Sequence, residues 1–208
     1  MTEDVVLNAG YDIDDTKIDF IGPFVEFAGE KLGKKIPYSS FFDYDVGRAL
    51  GVPREKAQEL LDSFYAEYFH RLTPVDGALD ALRYISRFSR AWDLTARPVE
   101  HRDVTIKSID THFVSQGIPI ENIYFCFHHN AGHGNKRKHE HATELGLDFF
   151  VEDSPQNAVE IAGKGIPVFL LRRPWNTSVQ PKENLTVCDN WQQVVELVDK
   201  LRKAKQGK

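Results

Sequence analysis

The chain has 208 residues, 41% of them apolar. That is enough for one buried core with room for a small insertion, and it excludes a disordered or fibrous protein. Its 31 acidic side chains against 26 Lys and Arg leave a formal charge of −5, which argues against a general binder of nucleic-acid polymers. Cys126 and Cys188 are too few for a disulfide scaffold, and no apolar run reaches the roughly 18 residues of a membrane span. The acidic start Met1-Thr2-Glu3-Asp4 lacks the basic opening of a secretory signal, so a cytoplasmic protein with no membrane partner is expected, with no oligomer indicated.

In chain order, the apolar stretch from Val5 to Asp12 reads as a buried strand that ends in acidic residues. Helical spacing then covers about Gly22 to Leu32, a long pattern from Pro53 past Phe64 and Phe69, and Asp76 to Phe88. From there strands alternate with helices. The strands are Ala91–Thr95, Ile123–Phe127, Asp148–Val151 and Pro167–Leu171, and the helices are Val99–Phe113, Lys138–Leu145, Gln156–Gly163 and Trp191–Leu201. The basic tail Arg202–Lys208 reads as a frayed end. Alternation of this kind predicts an α/β fold, a Rossmann-like parallel sheet covered on both faces. The gap between Asp12 and Ala91 far exceeds the dozen or so residues of an ordinary crossover. It predicts a small helical domain over residues 18–77, inserted after the first strand of a core formed by 1–17 and 78–208. The insertion is dense in aromatic residues: Phe41, Phe42, Tyr44, Phe64, Tyr65, Tyr68 and Phe69. Some of these rings are expected to form its own core, and some could face a planar substrate.

Chemistry-bearing residues collect at predicted strand ends, where open parallel sheets bind ligands. Asp12-Ile13-Asp14-Asp15-Thr16 places two carboxylates at i, i+2. One can attack an electrophile while the other moves a proton, and together they can hold a hard cation. Glu152-Asp153 supplies a second acidic pair at another strand end. Acids gathered this closely repel one another unless a cation joins them. Thr95-Ala96-Arg97-Pro98 puts a hydroxyl beside the amides of a helix start, a phosphate-binding arrangement. Lys138 opens a helix and can neutralise phosphate or restrain a carboxylate, with Lys136 as its competitor.

Taken in order, these four segments resemble the haloacid dehalogenase superfamily, and within it the small 5′(3′)-deoxyribonucleotidase-like members. The form Thr95-Ala96-Arg97-Pro98, the acidic pair before Ser154 and the segment Arg172-Arg173-Pro174-Trp175-Asn176 carry the closer likeness. The resemblance implies that Asp12 is a nucleophile forming an aspartyl-phosphate and Asp14 its general acid and base. It implies Mg²⁺ held by Asp12, the Asp14 backbone carbonyl and Asp153, with Glu152 and Thr16 supporting them. Thr95, Ala96, Arg97 and Lys138 would bind the phosphoryl group. The implied activity is a Mg²⁺-dependent phosphomonoesterase acting on a small phosphorylated substrate, preferably a nucleoside monophosphate and alternatively a sugar phosphate. Asp14 disfavours halide release, which needs no proton donor, and the intact motif set disfavours a noncatalytic binding module.

Three features depart from the family pattern: the polar and small residues Asn8, Ala9 and Gly10 in the first strand, Asp93 inside a buried strand, and Glu152 before Asp153. Separately, His128, His129, His133, His139 and His141 cluster around the start of the Lys138 helix with no standard zinc spacing. A structural loop is expected there.

Overall fold

A computed structural model describes residues 6–42, 45–127 and 136–207. The first strand, β1 (Leu7–Tyr11), leads to the helices α1 (Ile21–Leu32), α2 (Val46–Leu50) and α3 (Arg54–Glu67). Next come α4 (Ala78–Ile85), β2 (Ser89–Thr95), α5 (Arg102–His112) and β3 (Asn122–Phe125). The chain continues through α6 (Lys138–Glu144), β4 (Phe149–Glu152), α7 (Pro155–Ala162), β5 (Val168–Leu171), β6 (Leu185–Cys188) and α8 (Trp191–Gln206). All neighbouring strands run parallel in the order β3-β2-β1-β4-β5-β6. The expected α/β Rossmann-like sheet is thus observed, with β1 at its centre, so the loops leaving β2 and β4 flank the loop leaving β1.

Each face of the sheet has its own apolar cluster. Leu94, Phe150, Val168 and Leu170 pack against Ala142, Ala158 and Ile161 of α6 and α7. On the other face, Ala9, Tyr11, Phe149 and Phe169 join α4, α8 and the helical segment in one continuous core. Within that segment Phe24, Phe27, Phe64 and Tyr68 interlock, with Phe24 and Phe64 rings 5.3 Å apart edge to face. These rings form the segment's own core, while Phe42 is exposed and Tyr44 lies outside the described residues.

Gly10 explains the weak apolarity of β1. A Cβ there would collide with the side chains of Leu147 and Phe150, so the central strand gives up apolarity for close packing. Asp93 also finds its reason. Both its oxygens accept hydrogen bonds from Lys17 Nζ at 2.8 Å, and both side chains are fully buried. Lys17 Nζ also sits 4.5 Å from the centre of the Phe113 ring. Burial pushes Lys17 down and Asp93 up from their ordinary values, and their mutual attraction opposes both shifts.

Several boundaries differ from the expectation. The tail is helical to Gln206, because α8 has a capped start, with Asn190 accepting the Gln193 amide, and its apolar side carries Trp191, Val194 and Val198 into the core. The four-residue edge strand β6 and the five-residue α2 have no sequence counterpart, each being too short to display a period. α3 ends at Glu67, and Phe69–Arg71 form a separate single turn. β2 begins two residues earlier than predicted, at Ser89, which is buried and bonded to the Ile85 carbonyl.

Candidate active site

The carboxyl ends of β1, β2 and β4 converge on a cavity of about 360 Å³. Asp12, Asp14, Ala96, Arg97, Lys138 and Asp153 line it from the core, and Phe20, Phe41, Leu61 and Tyr65 line it from the helical segment. The expected acidic and basic residues therefore meet in space, although they come from distant parts of the chain. Thr95 sits just beneath, fully buried, its Oγ1 accepting the Arg97 amide at 3.1 Å.

Lys138 is the centre of the charge network. Its Nζ lies 2.6 Å from Asp12 Oδ1 and 2.9 Å from Glu152 Oε2. Lys136 instead pairs with Glu144 on the surface, which separates the two candidate lysines. The other Glu152 oxygen accepts the amides of Asp153 and Ser154. Burial would lower the Lys138 ammonium, but the charges of Asp12 and Glu152 outweigh it and raise it. Burial, then the Glu152 charge, push the Asp12 carboxyl up to about 8 against the pull of Lys138. Glu152 is raised chiefly by burial as well.

One carboxylate oxygen from each of Asp12, Glu152 and Asp153 lies within 4.8 Å of the others, all three residues buried. Three carboxyl groups thus face one ammonium, and burial first, then the Glu152 charge, raise Asp12 among them. A donor set made of carboxylate oxygens fits a hard divalent cation. The geometry thus groups Glu152 with Asp12 and Asp153, whereas Asp14 points elsewhere.

Asp14 is held by Arg97. The guanidinium Nε and Nη2 form a fork on the carboxylate at 2.9 and 2.6 Å, and Nη1 reaches Thr105 Oγ1 of α5 at 3.3 Å. Phe69 lies under the same guanidinium, 4.5 Å from its central carbon. The Arg97 side chain, expected on phosphate, is therefore committed to Asp14 and buried. Thr16 Oγ1 lies 3.5 Å from Asp153 Oδ1.

Three residues named within the sequence motifs carry roles that the sequence alone does not assign. Asp15 is buried with φ of 53°, and its Oδ1 accepts the Phe20 and Ile21 amides at the start of α1. Burial, then the Asp153 charge, raise its carboxyl well above the usual range. Arg173 donates to the Asp15 carbonyl through Nε and Nη2 at 2.9 and 2.6 Å. Asn176, fully buried, donates through Nδ2 to the carbonyls of Asp153 and Leu171, both at 2.8 Å. The segment Arg173–Asn176 thus ties both acidic loops together. Its resemblance had been visible, but its contacts are long-range. Of the histidines, His139 Nδ1 lies 3.2 Å from Glu160 and His141 packs on Tyr124, while His128, His129 and His133 lie outside the described residues.

Among solved structures, a haloacid dehalogenase-like hydrolase of Streptococcus pneumoniae superposes with a TM-score of 0.65 at 14% identity, covering 93% of this chain and 98% of that one. A family hydrolase of Deinococcus radiodurans, solved with bound phosphate and sodium, gives 0.62 at 12% identity, over 96% and 97%. The fold is that of haloacid dehalogenase-like hydrolases, and the family match together with nucleotidase relatives makes the chain a phosphoric monoester hydrolase. A nucleotidase of Clostridium acetobutylicum is 25% identical over 201 residues, 94% of this chain and 95% of that protein. The family described as 5′ nucleotidase, deoxy (pyrimidine), cytosolic type C protein matches residues 6–206, and the chain belongs to it.

Proposed function

We propose that this phosphatase is Mg²⁺-dependent and dephosphorylates nucleoside monophosphates through an aspartyl-phosphate on Asp12. One observation carries the reading. A buried carboxylate at the end of the central strand is clamped by Lys138 at 2.6 Å and opens into a cavity whose far wall carries Phe20, Phe41, Leu61 and Tyr65 alongside the polar Arg54 and Gln58. Charge is concentrated where a phosphoryl group would sit, and apolar surface lies where a base and sugar would lie.

In this mechanism an Asp12 oxygen attacks phosphorus, forming the acyl-phosphate bond as the ester P–O bond breaks. Asp14 gives its proton to the leaving oxygen, then takes one from the water that hydrolyses the intermediate. The Arg97 fork keeps Asp14 aimed and separates its duty from that of Asp12. Lys138, the Thr95 hydroxyl and the Ala96 backbone hold the phosphoryl oxygens. Asp12, the Asp14 carbonyl and Asp153 would hold Mg²⁺, with Glu152 and Thr16 behind them. When bound, the ion supplies electrostatic relief between the nucleophile and the anionic phosphate. Residues 18–77 act as a cap that closes the cavity against water, over a core of 1–17 and 78–208. A cytoplasmic setting suits two buried free thiols, Cys126 and Cys188. Among the described residues no helix is long and apolar enough to cross a membrane.

The test is phosphate release from a panel of nucleoside monophosphates and sugar phosphates, with and without Mg²⁺. Turnover of nucleotides that stops on chelation is expected. Robust turnover of a sugar phosphate with every nucleotide inert would overturn the substrate assignment, and undiminished turnover after chelation would overturn the metal requirement.

A further inference from the structure

We propose that Trp175 is a positioning residue that joins the seating of the helical segment to the orientation of the Asp153 carboxylate. The proposal rests on the reading of Asp153 as a metal ligand. The indole Nε1 of Trp175 donates to Asp153 Oδ2 at 2.8 Å. The backbone beneath is anchored independently, since Asn176 Nδ2 holds the Asp153 carbonyl. The main chain of the Asp153 loop is therefore pinned, and what the indole adds is a constraint on the carboxylate's rotation.

An indole has one N–H, in the plane of its ring, so the direction of that bond follows the orientation of the ring. Two aromatic residues of the helical segment set that orientation. Tyr38 meets Trp175 edge to face at 6.1 Å and Phe41 does so at 6.2 Å, with interplanar angles of 72° and 80°. Phe41 is 3% exposed and leans in turn on Phe24 of α1. A continuous run of packed rings thus leads from α1 to a carboxylate on the cavity floor, and Trp175 itself lines the cavity. If the helical segment shifts, the ring loses its lateral support and Asp153 loses a fixed donor. Groups that orient a ligand from behind typically change metal affinity by roughly 10–100-fold when removed.

The test uses the full chain without substrate, titrated with Mg²⁺ by calorimetry and by tryptophan emission. In Trp175→Phe, which keeps a ring and removes the N–H, Mg²⁺ affinity is expected to fall about tenfold or more. The metal-dependent emission change of the wild type is expected to vanish, although Trp92 and Trp191 remain. Phe41→Leu, which leaves the N–H in place, is expected to weaken Mg²⁺ binding by a smaller factor and gives an independent reading should Trp175→Phe not fold. Asp153→Asn is expected to abolish binding. Wild-type affinity in both Trp175→Phe and Phe41→Leu, with binding lost in Asp153→Asn, overturns the positioning role alone. Wild-type affinity in Asp153→Asn overturns the ligand assignment and the positioning role with it.

Discussion

Two buried lysines invite comparison. Lys17 and Asp93 form a sealed pair, one charge against one, both fully buried and away from the cavity. Lys138 faces two carboxylates, Asp12 and Glu152, with Asp153 close by, and it opens onto the cavity. The same chemistry of ammonium and carboxylate therefore serves two ends. A balanced pair joins the β1 loop to β2, and its members need nothing further. An unbalanced cluster keeps a carboxylate short of compensation, and the proposed binding of a cation and a phosphate rests on that imbalance.

The contrast can be broken at its strongest point first. Asp12→Asn is expected to lower kcat by about 10⁴-fold or more, measured as phosphate release at saturating Mg²⁺, while the melting temperature of the metal-free protein holds or rises. Next, Lys17→Met should cost about 3–5 kcal/mol in urea unfolding, because it removes the partner of the buried Asp93 carboxyl. Lys17→Met combined with Asp93→Leu should recover most of that loss and keep wild-type kcat. A folded but inactive double variant would erase the distinction between the two lysines. Arg97→Lys keeps the charge and removes the fork, so kcat should fall by up to roughly 10²-fold through a misplaced Asp14.

The last effect is a slope with pH. Burial raises the Asp12 carboxyl from 3.8 to about 8 in the folded chain. Between those values the folded state holds a proton that the unfolded state has released, so stability should decline as pH rises across that window. Mg²⁺ should therefore raise the melting temperature more at pH 8 than at pH 5. An equal rise at both would show that Asp12 is not the group under stress.

The sequence made the strand ends legible because Asp12, Thr95 and Asp153 each stand beside a short apolar run that announces a strand, and Lys138 opens a periodic helix. What it left hidden depends on pairs far apart along the chain. Nothing near Asp93 indicates Lys17, and nothing near Arg97 indicates that its guanidinium will close on Asp14. Asp15 stands within the quoted motif, yet its burial and its two amide bonds follow from how the chain turns into α1. The aromatic residues of the helical segment were visible as composition. Which of them would form its core and which, like Phe41 and Tyr65, would line the cavity depends on how helices of mixed periodicity pack.

The central place of β1 also governs how the protein comes into being. Leu7 is made well before its partner Ser89, and Ala9 well before Phe149. Contacts so distant in sequence form slowly and late. Until the strands on either side form, the acidic turn after β1 has no sheet to bury it. Only completion of the sheet draws Asp12 out of solvent and opposes it to Lys138. A folding defect in β2 or β4 is therefore expected to leave Asp12 in solvent and apart from Lys138.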